Sequence, residues 1–141
     1  MARAVDLLSR REYSRRELAQ RLRPYAETPE ALETVLEQLA SNSWQSDQRF
    51  AEQFMQAKGA KYGSMRLRHA MREKGIDNES IQAALSDSDD LSTARAVWQR
   101  KFGELPATQQ EKAKQMRFLA SRGFPAEIIR QVLKGDFDDF E

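Results

Sequence analysis

Apolar positions recur in the same order three times along the chain. Each stretch opens with Ala-x-x and two large apolar residues: Ala4 with Leu7 and Leu8, Ala51 with Phe54 and Met55, Ala94 with Val97 and Trp98. A second segment follows with one apolar anchor, Leu22, Met71 or Leu119. A third ends on an i, i+4 pair: Val35 and Leu39, Ile81 and Leu85, Ile129 and Leu133. Copies two and three share their register, since Met71, Gly75-Ile76, Ile81 and Leu85 are spaced as Leu119, Gly123-Phe124, Ile129 and Leu133. Spacings of three and four residues place apolar side chains on one helix face. A unit of roughly 45 residues with three helices is the signature of a short helical array. The predicted fold is therefore all-α: an elongated, right-handed solenoid of three tandem three-helix repeats, with about nine helices in a single domain. The repeats span about 1–41, 46–87 and 90–134, and an acidic tail, 135–141, follows.

Local signals set the helix ends. Ser14, with Glu17 three residues on, forms a capping box for a helix from Arg15 to Arg23, which Pro24 ends. Thr28-Pro29 starts the third helix, with proline at the first position where its missing N–H costs nothing. Leu32, Val35, Leu36 and Leu39 share one of its faces. Copy two begins at Ser46-Asp47 ahead of Phe50, and Gly59 and Gly63 bracket its first turn. Its second helix, Ser64 to Lys74, stops at Gly75, a left-handed cap, and Asp77 caps the next. Copy three opens after the acidic loop Ser86–Asp90. A longer loop around Gly103 to Thr108 precedes its last two helices, Thr108–Ser121 and Pro125–Leu133.

For 141 residues, 40% apolar content and a mean hydropathy of −0.77 indicate a shape with much surface for its volume. The chain has no cysteine, which excludes disulfides, thiol catalysis and thiolate zinc sites. No apolar run suits a signal-peptide core or approaches the ~20 residues of a membrane span. The chain reads as a cytoplasmic protein that does not enter a membrane.

The net charge of +1 conceals an alternation. Residues 1–23 carry +4, 27–47 carry −5 with no lysine or arginine, 48–76 carry +5, 77–90 carry −5, 91–134 carry +6 and 135–141 carry −4. In the first two copies the first two helices are basic, while the third helix and the following loop are acidic. Stacked copies would align the basic helices into a positive stripe suited to a polyanion. Equally, the blocks would solvate the helices and pair within each unit.

Catalytic chemistry is thin. His69, the only histidine, lies among Arg66, Arg68 and Arg72 on a predicted helix and reads as solvent-facing. No Gly-x-Ser-x-Gly, Walker-type or Gly-x-Gly-x-x-Gly motif occurs. Asp87, Asp89 and Asp90 lack the glycine and closing glutamate of an EF-hand and read as a solvated turn. We expect no catalytic residue, cofactor or metal. What remains is a basic surface. Lys58, Lys61, Arg66, Arg68, Arg72 and Lys74 cluster with Tyr62 near the middle of the chain, and Arg100, Lys101, Lys112, Lys114, Arg117 and Arg122 cluster in copy three. Such groups neutralise phosphates. Phe50, Phe54, Trp98, Phe102 and Phe118 are at helical spacing that suits a core, so backbone contact is favoured over base stacking. A helix-turn-helix reading is opposed by charge, because Glu30, Glu33 and Glu37 crowd the third helix of copy one and only Glu79 is charged in that of copy two. Copy three, with Arg130, Gln131 and Lys134, keeps that option open.

With these residues in view, the chain resembles the RecX family of bacterial recombinase regulators. The matching strings are Ala4-Val-Asp-Leu-Leu-Ser-Arg-Arg-Glu-Tyr-Ser-Arg-Arg-Glu-Leu18, Ser46-Asp-Gln-Arg-Phe-Ala51, Gly63 through Arg72-Glu-Lys-Gly-Ile76, and Phe118-Leu-Ala-Ser-Arg-Gly-Phe124. They occur in order and span nearly the whole chain. The resemblance implies a non-enzymatic monomer of three three-helix repeats that binds RecA, lodges in the groove of the RecA filament on DNA and lowers its ATPase, strand exchange and coprotease activities. The basic residues would then face RecA or the backbones of single- and double-stranded DNA, held weakly. The alternative is a sequence-independent nucleic-acid-binding repeat that acts by competing for DNA. Where the family carries a glycine in the link into copy two, this chain has Ser41-Asn42-Ser43, and Asn42 is the residue expected to take the left-handed turn. The acidic tail reads as an inert end or as a segment that masks the positive stripe.

Overall fold

The computed structural model describes residues 1–134, so the acidic tail and the role expected of it lie outside the described residues. Among them, nine helices and no strand are found: α1 (Ala2–Arg10), α2 (Arg15–Leu22), α3 (Pro29–Ser41), α4 (Asp47–Lys58), α5 (Ser64–Glu73), α6 (Asn78–Leu85), α7 (Asp90–Lys101), α8 (Gln109–Ser121) and α9 (Ala126–Lys134). The local signals act as read. Ser14 accepts the Glu17 N–H while the Glu17 carboxylate accepts that of Ser14, closing the capping box. Thr28, Asp89 and Thr108 cap α3, α7 and α8 through their side chains. Asp77, just ahead of α6, has its carboxyl held below the ordinary range by hydrogen bonds, foremost from the Ser80 side chain. Past α2 the chain continues through Pro24 as a 3-10 turn, Arg23–Tyr25, before it straightens.

The expected left-handed turn after α3 falls on Ser43, with φ +62°, and not on Asn42, whose φ is −87°. Helix α3 runs through Ser41, which makes Asn42 its last half-helical residue. The position that must turn left-handed is the one beyond it. Trp44 and Gln45 then donate their N–H groups back to the Leu39 carbonyl.

The chain divides into two compact units that do not follow the repeats. The first is Met1–Phe54 with Ala70–Ala84, and the second is Met55–His69 with the residues from Leu85 onward. In the first, α2 packs on α1 and α3. Ala4, Leu7, Tyr13, Leu18, Leu22, Leu36 and Leu39 form one buried cluster there. In the second, α7 packs chiefly on α9, and α8 touches both. Its cluster is Ala94, Val97, Trp98, Leu119, Phe124, Ile129 and Val132. The alanine that opens each repeat, Ala4, Ala51 or Ala94, is completely buried. The third helices depart from the i, i+4 expectation in two copies. Leu36 with Leu39, and Ile129 with Val132, are the buried pairs, while Val35 and Leu133 are only partly covered. A wide helical stripe admits i+3 and i+4 neighbours alike, and neighbouring helices select between them. In the second unit, the buried Gln115 accepts the Trp98 indole N–H at 2.8 Å and donates to the Glu104 carbonyl at 3.1 Å, which ties the long loop to the core.

Each unit contains the same kind of joint between successive copies. In the first, the Asp47 carboxylate at the start of α4 accepts the Arg15 N–H at the start of α2, 2.9 Å away. In the second, Asp90 at the start of α7 accepts the Ser64 N–H at the start of α5, also at 2.9 Å, and its other oxygen takes the Ser64 hydroxyl at 2.5 Å. A carboxylate at a helix N-terminus satisfies an orphan donor and meets the positive end of the helix dipole. A glycine turn completes each joint. Gly75, with φ +86°, lies so close to Arg16 that an added Cβ would be 2.9 Å from its Nε. Gly123, with φ +94°, would place a Cβ 2.7 Å from the Arg66 backbone nitrogen. The same arginines cap the preceding helix ends: Arg16 donates to the Glu73 carbonyl at 3.3 Å and Arg66 to that of Ser121 at 3.1 Å.

A candidate cationic surface

Ion pairing is prominent in the first unit. There, basic residues of the opening helices meet carboxylates. Arg10 pairs with Asp6 at 2.9 Å, Arg49 with Glu12 at 2.9 Å, and Arg15 bridges to Glu33 and, at 3.0 Å, to Glu37. Glu17 takes both Arg11 at 3.3 Å and Lys74 at 3.1 Å. Burial works to raise the Glu17 pKa, but the Ser14 N–H, Arg11 and Lys74 together outweigh it and hold the carboxyl below its ordinary value. Here the alternating charge is spent on internal pairing.

In the second unit Arg66, Lys101 and Arg122 rest on aromatic rings, as Arg3 does on Tyr25 and Arg11 on Tyr13 in the first. The Arg66 guanidinium lies 4.0 Å from the Tyr62 ring centre. Arg122 lies 5.5 Å from Tyr62 and 4.9 Å from Phe118, and Lys101 lies 5.5 Å from Phe118. The ladder of ion pairs in the first unit has no counterpart for Lys61, Arg66, Arg100, Lys101 and Arg122 among the described residues. Phe118 meets Phe102 edge to face at 5.4 Å, which sets the orientation of its ring. Lys61 and Tyr62 from the loop before α5, Val97, Arg100 and Lys101 from α7, and Phe118 and Arg122 at the end of α8 line one open cleft of about 460 Å³.

The expected basic residues therefore separate. Lys61, Arg66, Arg100, Lys101 and Arg122 meet around Tyr62 and Phe118. Lys112 lines a different groove with Met116, Arg130 and Lys134. Lys58, Lys114 and Arg117 are exposed on their helices outside the cleft. Arg68 follows Arg66 by two residues, which is about 200° around the helix, so the two face different directions. Arg72 donates to Asn78 at 3.3 Å and Lys74 is committed to Glu17, both in the first unit. His69 is exposed. Of the three aspartates of the acidic turn, Asp89 caps α7 and Asp90 caps α5, so two of them serve helix starts. Sequence spacing alone assigned Phe118 to the core. The structure packs it against the core cluster of the second unit but leaves it half-buried and in contact with Lys101 and Arg122.

Among the described residues, nine helices in tandem triplets joined by carboxylate caps and glycine turns define an all-α protein of three-helix repeats. The chain matches models of the first, second and third three-helix domains of RecX over residues 1–39, 46–85 and 87–133. It belongs to the RecX family. A Chromobacterium violaceum protein named Regulatory protein RecX is 56% identical over 138 residues, covering 98% of this chain and 91% of its own length. The protein of that name from Neisseria meningitidis serogroup B is 46% identical over 139 residues, covering 98% of this chain and 91% of its own. Two solved structures share the fold. A crystal structure of regulatory protein RecX superposes with a TM-score of 0.81 at 19% identity, over 94% of this chain and 70% of the other. That of RecX from Lactobacillus salivarius gives 0.79 at 17% identity, over 95% and 92%. No helix among the described residues is long and apolar enough to cross a membrane.

Proposed function

We propose that this protein is a non-catalytic negative regulator of RecA, which binds the RecA filament on DNA and lowers its ATPase, strand exchange and coprotease activities. The observation that carries this reading is membership, over nearly the whole chain, of a family whose relatives are named regulatory proteins. The cationic cleft of the second unit supports it, since cations that no carboxylate among the described residues pairs with are suited to the phosphates of a nucleoprotein filament or to acidic protein surface. On this reading it acts as a monomer in the cytoplasm, and every chemical step belongs to RecA.

The test is the single-strand-DNA-dependent ATPase of RecA, with this protein titrated from far below stoichiometric to equimolar at two salt concentrations. Loss of activity at a small fraction of the RecA concentration is the expected result. Loss only when the DNA is saturated would replace filament regulation with simple competition for DNA. No loss at either salt would overturn both.

A further inference from the structure

We propose that the cleft lined by α7, the end of α8 and the loop before α5 is a binding site for an unpaired nucleotide, an aromatic base joined to phosphate. The inference rests on the regulatory reading for its place in the function, and on the cleft itself for its chemistry. At about 460 Å³ the cleft lies within the range of small-ligand sites and holds one nucleotide unit. Its apolar lining is Val97 and Phe118, and Phe102 meets the Phe118 ring edge to face. Its rim carries Lys61, Arg100, Lys101 and Arg122, which the described ion pairs leave without carboxylates.

Each part of that lining selects against other ligands. A peptide of acidic residues alone would engage the cations and leave the rings unused. A duplex keeps its bases stacked inside and offers only its backbone, so the aromatic wall would again contribute nothing. An unpaired nucleotide uses both, with the base on Phe118 or Tyr62 and the phosphate among the cations. The cation distances fit this division of labour. Arg66 lies close on Tyr62 at 4.0 Å, while Lys101 and Arg122 stand off Phe118 at 5.5 and 4.9 Å. Those two can turn to a phosphate without giving up a tight stack.

The test uses the full chain alone, with no recombinase present, so that its failure is distinct from failure in the ATPase titration. Binding of a fluorescent oligothymidylate is followed by anisotropy at several salt concentrations. The pair Lys101→Gln with Arg122→Gln is expected to weaken binding roughly tenfold and to flatten the salt dependence by about 0.7 per lost phosphate contact. The pair Lys112→Gln with Arg117→Gln removes the same charge outside the cleft and is expected to weaken it by less than about threefold. Phe118→Leu is expected to weaken binding by roughly tenfold with the salt slope unchanged. Should that variant melt early, the two glutamine pairs decide the matter. Competition with unlabelled ligands identifies the source: displacement by single strand but not by ATP places the nucleotide in a strand, and displacement by ATP makes it a free nucleotide. Equal weakening by the two glutamine pairs, equal competition by a duplex of the same length, or no binding of oligonucleotide or ATP overturns the proposal.

Discussion

The carboxylate of Asp90 accepts the backbone N–H of Ser64 at 2.9 Å, and Asp47 does the same for Arg15 at the same distance. In each case the first residue of a repeat's first helix caps the second helix of the repeat before it. Asp90→Ala and Asp47→Ala are each expected to lower unfolding stability by about 1 kcal/mol, the cost of losing an N-terminal cap. Asp90→Asn keeps one acceptor and loses less. Urea unfolding followed by circular dichroism measures all three, and an unchanged midpoint for both alanine variants would remove the caps from the account of the joints.

Gly123 and Gly103 both have positive φ, +94° and +74°, but differ in what surrounds them. A Cβ on Gly103 meets nothing nearer than 3.4 Å, so Gly103→Ala pays only for its backbone, about 1 kcal/mol. A Cβ on Gly123 runs into the backbone of Arg66, and Gly123→Ala is expected to cost at least about 2 kcal/mol. Thermal melts of the two variants give the order, and equal costs would mean that the Arg66 contact yields easily.

Glu17 predicts the acid limb of stability. Its pKa in the folded protein lies below the ordinary value of 4.5, so the stability from its partners Ser14, Arg11 and Lys74 is fully present above that pH. It is lost as pH falls through the lower folded value. Glu17→Gln is expected to destabilise by about 1 kcal/mol at neutral pH and to reduce the difference from the parent below pH 4. Melts between pH 3 and 7 check this, and a difference that stays constant across that range counts against it.

Arg100→Glu with Lys101→Glu reverses charge at the cleft on two exposed residues of α7. On the proposed function this pair raises the concentration needed for half-inhibition of RecA ATPase by roughly tenfold while leaving the melt unchanged. Reversing Arg66, Arg68 and Arg72 together is a less discriminating experiment. Arg66 holds the Ser121 carbonyl and Arg72 holds Asn78, so that triple is expected to lower stability as well as inhibition. Full inhibition by the α7 pair would exclude the cleft from the regulatory contact.

The helices and their ends were legible because their causes are local. The Ser14 and Glu17 box, the Thr28-Pro29 start and the Gly75 stop each act over a few residues, and each stands where the spacing placed it. One such reading moved: the left-handed residue is Ser43 and not Asn42, because α3 continues through Ser41. The aspartates of the joints also left a trace, since Asp47 and Asp90 each precede the repeat alanine, Ala51 or Ala94, by four residues. Arg15 left none, because it meets Asp47 through its backbone N–H, which carries no mark in the sequence, whereas Ser64 also gives its hydroxyl to Asp90.

By itself the sequence determined an all-α chain of three three-helix repeats and its family, since periodicity, caps and ordered motifs are properties of residues a few places apart. Only the tertiary structure decided which charges are neutralised. Basic and acidic blocks alternate along the whole chain, yet Arg15 meets Glu33 and Glu37 while Lys101 and Arg122 meet Phe118. Pairing depends on distances of a few ångströms between residues far apart in sequence, and folding sets those distances.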